Sequence, residues 1–351
     1  MTNFVCIHLH PLNFSQLKWR IDLKKIIDNI YSFTIPLPFT DTPELNIYYI
    51  DDKNPTIIDT GLGDQKSIEI FSHKLKQMHR SIKDISFIVN THEHIEHYGG
   101  DRKLREISGA HVIASIKAAP HIENAQKVNS ALKKHLVFYE PDLANEFNDS
   151  IEYDLKIEES KVDVQVNEGD IIDTGNIKLR VISTPGHSNG HICLYDEKRK
   201  ILFAGDNIID RRSTFVGYDY RDLVSQKIIG IINTNFEEPD NLSLYIDSLK
   251  KLLTLDIEIL LPSHGRPVRE PHKKLELEIK KKERRSGMFL KVLGHKEFIS
   301  LKELTSKVYG KKSNSLVHCG AALGYLARLN REGIIEARMN RDDLYLKLKT
   351  E

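Results

Sequence analysis

The sequence predicts an α/β protein: two sheets packed face to face between outer helices, followed by a basic helical segment ending in a hairpin. Three observations carry this expectation. Short β-branched runs come first, and strands then alternate with helices twice over, an order that suits two stacked sheets covered by helices. The histidine- and aspartate-bearing motifs stand directly after strands, where a rigid scaffold can gather distant residues at one edge. Charge is also split along the chain. Residues 273–351 hold 19 Lys+Arg and 10 Asp+Glu, about +9, so the remainder is about −8 in a chain of formal net charge +1.

The chain has 351 residues, and at roughly 150 residues per domain this suggests two domains. With 40% hydrophobic and 29% charged residues it belongs with globular proteins, not disordered or fibrous ones. No apolar run approaches the ~20 residues that span a bilayer, and His8, His10, Lys18 and Arg20 interrupt the N-terminal stretch. Neither membrane insertion nor secretion is expected. Cys6, Cys193 and Cys319 are odd in number and far apart, so they form no disulfide framework or CxxC knuckle, and the reducing cytoplasm is the expected compartment.

Residues 1–28 are read as an N-terminal extension and 29–270 as the catalytic domain. Strands are expected at Ile30–Ile35, Asn46–Ile50 and Thr56–Asp59 from their β-branched content and bounding turns. Ile68, Phe71, Leu75 and Met78 recur at helical spacing behind a possible Asp64 N-cap, predicting a helix over 64–80. A strand Ser86–Asn90, a helix Tyr98–Ser108 and a strand His111–Ala114 follow. Residues 117–160 lack two-residue alternation and are read as a helical insertion. Strands resume at Val162–Val166, Ile177–Ile182, His191–Tyr195 and Ile201–Phe203, then a helix at Asn241–Leu253 and a strand at Ile257–Leu261. Residues 271–351 are read as a solvated linker helix, two short helices (Leu301–Tyr309, Ser315–Asn330) and a hairpin (Ile334–Ala337, Leu344–Leu348), a winged-helix pattern.

The chemistry concentrates in Thr91-His92-Glu93-His94-Ile95-Glu96-His97. Clustered imidazoles are poor core fillers and repel one another when protonated, whereas neutral imidazoles and carboxylates suit zinc, here in two adjacent ions. Three pieces downstream match: Thr184-Pro185-Gly186-His187-Ser188-Asn189-Gly190-His191, Phe203-Ala204-Gly205-Asp206-Asn207 and Leu261-Pro262-Ser263-His264-Gly265. A divalent ion brings bound water to a pKa near 7, so hydrolysis by metal-activated hydroxide is expected, with Glu96 orienting the water or taking its proton. His191, at the start of an apolar strand, is either a support for a ligand or a satisfied core histidine. His121, His135, Tyr139 and Tyr218 could line a pocket but are read as surface residues.

With Ile57-Ile58-Asp59-Thr60-Gly61 as an early motif, these pieces in this order resemble the metallo-β-lactamase fold hydrolases from about Ile30 to Val268. The tail is similar to the winged-helix extension of the branch represented by human β-lactamase-like protein 2. The resemblance implies a four-layer αββα sandwich with two divalent metal ions, zinc by preference, at the sheet edge. It implies that His92, His94 and His187 hold the first ion, His97 and His264 the second, and that Asp206 bridges them, with Asp59 fixing the loops behind. Glu96 stands where the family usually has Asp, which ligates the second metal and orients the water, and the same roles are carried to it. A related iron-using branch has Glu where this chain has His94. The resemblance leaves the substrate open. A small-molecule thioester or ester is the first expectation, because TPGHSNGH is similar to the segment of hydroxyacylglutathione hydrolases, with the tail capping the site or forming a homodimer. The alternatives are single-stranded RNA cut with help from the basic tail, and a metal-binding protein whose catalysis Glu96 impairs.

Overall fold

The computed structural model describes residues 22–37, 42–125, 158–217, 240–294, 297–310, 316–340 and 343–349. A seven-stranded sheet runs in chain order through β1 (Lys24–Ile27), β2 (Ile30–Pro36), β3 (Glu44–Ile50), β4 (Thr56–Ile58), β5 (Phe87–Val89), β6 (His111–Ser115) and β7 (Val164–Val166). Strands β1 to β4 pair antiparallel, and β4 to β7 pair in parallel. Parallel neighbours need a crossover. Helix α1 (Gln65–Gln77) supplies it between β4 and β5, and α2 (Ile95–Tyr98) with α3 (Asp101–Ser108) between β5 and β6. Asp64 caps α1 as the sequence predicts, its carboxylate accepting from Ser67 N at 2.7 Å. Helix α4 (Ala119–Glu123) opens the predicted helical insertion, of which residues 126–157 lie outside the described residues.

The second sheet has the order β12-β11-β10-β9-β8, from β8 (Ile171–Asp173), β9 (Lys178–Ser183), β10 (Ile192–Asp196), β11 (Ile201–Gly205) and β12 (Ile259–Pro262). Helix α5 (Asn241–Leu253) links β11 to its parallel neighbour β12.

Two-residue alternation sorts these side chains into layers. In β3, Ile47 and Tyr49 face α1 with Phe71 and Leu75, whereas Tyr48 and Ile50 face the second sheet. In β11, Ile201 and Phe203 join that inter-sheet layer, and Leu202 and Ala204 face α5 with Leu242 and Tyr245. Helix, sheet, sheet, helix is therefore the observed order, as the sequence predicts. Two local readings are corrected. Strand β8, too short and exposed to carry a pattern, was not expected. The helix expected at Tyr98–Ser108 breaks at Gly99–Gly100, where backbones crowd: a Cβ on Gly63 would lie 2.5 Å from Gly99 O, and one on Gly100 2.7 Å from Thr60 O.

Beyond β12 come α6 (Pro271–Leu293), β13 (Ile299–Ser300), α7 (Leu301–Tyr309), α8 (Leu316–Arg331) and the hairpin β14 (Ile335–Asn340) with β15 (Asp343–Leu348). β13 pairs with β15, giving a three-stranded sheet of order β13-β15-β14. This segment shares the core of the second sheet: Leu275, Phe289, Leu304, Leu326 and Leu346 belong to one apolar cluster with Leu202 and Tyr245. Helix α6 is not solvated all round. Glu278 and Lys282 lie buried, at 1% and 4% exposure, in the same stripe as Leu275 and Phe289. No helix among the described residues is long and apolar enough to cross a membrane.

Candidate metal centre

Strands of both sheets end at one place. Asp59 follows β4, the Thr91–His97 turn follows β5, His187 follows β9, Asp206 follows β11 and His264 follows β12. The sheets hold these ends together directly. From β3, Tyr48 Oη and Asn46 Nδ2 donate to Pro262 O at 2.7 and 2.8 Å, and Asn46 N donates to Ser263 O at 2.7 Å. These bonds seat the turn that carries His264.

Four imidazoles are tied at Nδ1 and present Nε2 to a common centre. His264 Nδ1–H donates to Glu44 O at 2.7 Å, and His187 Nδ1–H to Phe215 O at 2.9 Å. His97 Nδ1 lies 2.8 Å from Asp59 Oδ2. The single hydroxyl proton of Thr91 goes to Asp59, 3.0 Å away, so His92 Nδ1–H donates to Thr91 Oγ1 at 3.1 Å. Such anchoring fixes tautomer and ring plane, as metal-ligating histidines require. Asp59 is the hub: with φ of 62° it also accepts from Thr91 N at 2.8 Å and Ser263 Oγ at 3.2 Å. A left-handed backbone on a non-glycine residue persists only where the surroundings hold it.

Asp206 faces this set with both oxygens. Oδ2 lies 3.6 Å from His187 Nε2, while Oδ1 lies 3.4 Å from His264 Nε2 and 3.7 Å from His97 Nε2. Two groups of potential ligand atoms come within 4.8 Å of one another: His92, His94 and His187, and His92, His97 and Asp206. His94 Nδ1 approaches His187 Nε2 to 3.1 Å. Buried polar atoms normally find partners. Yet among the described residues His97 Nε2, His264 Nε2 and Asp206 Oδ1 are buried with no hydrogen bond of ordinary geometry. A divalent cation supplies what this donor set lacks, and imidazoles with a carboxylate suit zinc.

The electrostatics agree. Burial would raise the carboxyl of Asp206, but the charges of His264 and His97 outweigh it and hold it well below the usual carboxylate range. Burial would lower His264, but the charge of Asp206 outweighs it and raises the imidazole to about 9. His97 is likewise raised against its burial by Asp59 and Asp206. At pH 7 the metal-free centre therefore holds protons that a cation must displace. Adding zinc in weak buffer at pH 7 is expected to release protons, with a yield that falls as the starting pH rises past about 9. A pH-stat titration checks this, and no release at pH 7 would contradict it.

His191 uses both ring nitrogens inside the protein. Its Nε2 accepts from Asp206 N at 3.1 Å and its Nδ1–H donates to Thr184 Oγ1 at 2.8 Å, and burial lowers its pKa to about 3. It is thus a neutral support for Asp206, which joins the two readings the sequence allowed. Glu96 is half-buried in the first turn of α2, and its charge helps raise His97 and His264, but it belongs to neither ligand group. Glu93 was passed over by sequence reasoning. Buried, it accepts from Ser188 Oγ at 3.0 Å and Gly190 N at 3.2 Å, tying the histidine turn to the His187 turn. Asp101 was also missed. It accepts from Asn90 Nδ2 at 2.5 Å and Thr60 Oγ1 at 2.9 Å behind the same turn, and burial pushes its carboxyl up to about 8. Among the weaker candidates, His121 is half-buried in α4, and His135, Tyr139 and Tyr218 lie outside the described residues.

Comparison with known proteins places the chain in a family. The human protein named acyl-coenzyme A thioesterase MBLAC2 is 32% identical over 162 residues, which are 44% of this chain and 54% of that protein. An uncharacterized protein of Aquifex aeolicus is 32% identical over 157 residues, 43% of this chain and 57% of its own length. The chain thus spans little more than half the length of these relatives. The probable metallo-hydrolase YqjP of Bacillus subtilis is 24% identical over 331 residues, covering 91% of this chain and 98% of that one. The fold matches the crystal structure of the metallo-beta-lactamase family protein TTHA1429 from Thermus thermophilus, with a TM-score of 0.76 over 93% of this chain and all of the other at 18% identity. The pattern defining the family matches residues 44–264, and on that match, with the fold and the histidine–aspartate groups beneath it, the chain belongs to the metallo-β-lactamase superfamily.

Proposed function

We propose that this chain is a metallo-hydrolase that acts on a small-molecule thioester or ester with two divalent ions, zinc by preference. The observation that carries the reading is Asp206, whose Oδ2 faces His187 while Oδ1 faces His97 and His264, the disposition of a carboxylate shared between two cations. His92, His94 and His187 would hold one ion, and His97, His264 and Glu96 the other. When bound, such ions lower the pKa of water and polarise a substrate oxygen. The protein's own part is to hold the imidazoles neutral at Nε2 through the anchors at Nδ1, and to keep a half-buried carboxylate, Glu96, close enough for its charge to act on His97 and His264. There Glu96 orients the attacking water and accepts its proton, and the attack expels a thiolate, or an alkoxide that takes up that proton to leave as the alcohol.

The thioester preference is supported by the human and bovine relatives named acyl-coenzyme A thioesterases. We read the C-terminal elements as a winged helix of structural use, in a cytoplasmic protein that is free to form a homodimer. The RNA reading stands second, because several described cations of this segment are engaged by carboxylates: Arg331 with Asp240, Arg328 with Glu332, Lys307 with Glu303 and Lys347 with Glu336. A panel of acyl-thioesters and single-stranded RNA tests the order. Thioester turnover that added RNA leaves unchanged supports the proposal, and RNA cleavage with steep salt dependence contradicts it. Glu96→Ala is expected to lower kcat by roughly a hundredfold, with Glu96→Asp staying within about tenfold of wild type. Unchanged turnover in Glu96→Ala would remove this role, and a large gain in Glu96→Asp would mean the native site is impaired.

A further inference from the structure

The metal centre is supported from the far side of the second sheet by a buried ion pair that the reaction does not use. Lys282 Nζ lies 3.5 Å from Glu278 Oε1 on α6, and both side chains are buried. Burying two charges costs free energy unless each finds further partners. Here, besides Lys281, whose Nζ lies 3.7 Å from Glu278 Oε2, the partners come from one short stretch of chain. Lys282 Nζ donates to Thr214 O, and Ser213 Oγ donates to Glu278 Oε1.

That stretch leads straight to the candidate ligands. Thr214 Oγ1 lies within donating distance of both Asp206 O at 2.9 Å and Asn207 O at 3.1 Å. Phe215 O accepts from His187 Nδ1. The stretch is closed in on its other sides as well. Asn241 Nδ2 donates to Gly217 O at 2.7 Å, Tyr245 Oη donates to Asn207 O at 2.7 Å, and a Cβ on Gly217 would lie 2.4 Å from Gly320 O of α8. Two apolar side chains would fill the place of the ion pair at less cost in desolvation, but they could neither hold the Thr214 carbonyl nor receive the Ser213 hydroxyl.

We propose that Lys282 and Glu278 are positioning residues for the metal centre: through Ser213, Thr214 and Phe215 they fix the imidazole of His187 and the backbone of Asp206, so the C-terminal segment sets the geometry of the His92–His94–His187 site. The inference rests on the metal-centre reading above. It makes the C-terminal segment part of the catalytic unit.

The test uses the full chain as Lys282→Met, Glu278→Gln and Ser213→Ala, with Leu304→Ala as a control that loosens the same apolar cluster without removing a polar partner of the 213–215 stretch. Zinc affinity is read by competition with a chromogenic chelator, and ligand geometry by the absorption spectrum of the cobalt-loaded protein. Lys282→Met is expected to weaken zinc by about tenfold, the lower end of effects for groups behind metal ligands, and to alter the cobalt bands. Ser213→Ala, which removes one hydroxyl and leaves the fold least disturbed, moves both readouts in the same direction. Leu304→Ala lowers the thermal midpoint and leaves both at wild-type values. Wild-type affinity and spectrum in folded Lys282→Met and Ser213→Ala would overturn the inference, as would an equal change in Leu304→Ala. Failure of the wild type itself to bind zinc or cobalt would instead overturn the metal-centre reading, and this one with it.

Discussion

Asp206→Ala is expected to lower hydrolysis by roughly a thousandfold or more, about 4 kcal/mol in the barrier, and to bring bound metal below one equivalent per chain. The reason is geometric. This carboxylate lies within 4 Å of His187, His97 and His264 together, so its removal takes a ligand from both proposed ions at once. It also leaves buried His264 without the anion that chiefly raises it, and His97 with Asp59 but without its second carboxylate. The effect on the metal-free chain has a definite sign. His264 is raised to about 9 in the folded chain against an ordinary value of 6.5, so its stabilisation is fully present below pH 6.5 and is lost as pH rises through about 9. The wild-type chain stripped of metal should lose that stability over this interval, and Asp206→Ala should lose little. Asp206→Asn, almost the same shape without the charge, should lie near the alanine variant in activity. Parallel metal analysis, kinetics and pH-dependent melting check each part, and near-wild-type turnover in Asp206→Ala would contradict the shared-ligand role.

Asp59→Asn is expected to weaken metal binding at the His97 side by roughly 10- to 100-fold, with the first ion less affected. Asp59 touches no substrate on this account. Its carboxylate receives His97, Thr91 twice and Ser263, so it sets the imidazole of His97 and, through Thr91, that of His92. Asparagine tolerates the left-handed backbone that Asp59 adopts, which makes this substitution a test of the carboxylate and not of the turn. Its amide offers one acceptor oxygen where the carboxylate has two, so at least one of the four donors loses its partner, and two do if the amide nitrogen takes the place of the oxygen that serves His97 and Ser263. Two-phase zinc titration with a chelator should show the weaker phase shifted and the tighter one nearly in place. Two unchanged phases would mean that His97 is oriented by other contacts.

The layers were legible in the sequence because strands and helices alternate twice along the chain, whereas the facing of each strand residue was not, since Ile47, Tyr48, Tyr49 and Ile50 are all apolar and yet lie alternately on the two sides of β3. The candidate ligands were legible because each lies at a strand end within a short dense motif. What holds them was less so. The acceptors for His187 and His264 are backbone carbonyls of Phe215 and Glu44, and a carbonyl has no residue type to mark it. Glu93 sat in plain view, but its partners Ser188 and Gly190 are far along the chain and only the fold brings them near. Lys282 was read as solvated because seven other cations crowd its helix. Its spacing of four from Glu278 and seven from Leu275 and Phe289 places it on the buried stripe, a signal that charge alone obscured.

Two divalent ions that share Asp206 fix a stoichiometry, and metal content per chain reads it out. Elemental mass spectrometry on full-length protein, purified with neither chelator nor added metal, is predicted to find close to two zinc equivalents in the wild type. One equivalent or fewer, persisting after zinc is returned, would contradict the shared site, and iron in place of zinc would contradict the choice of metal.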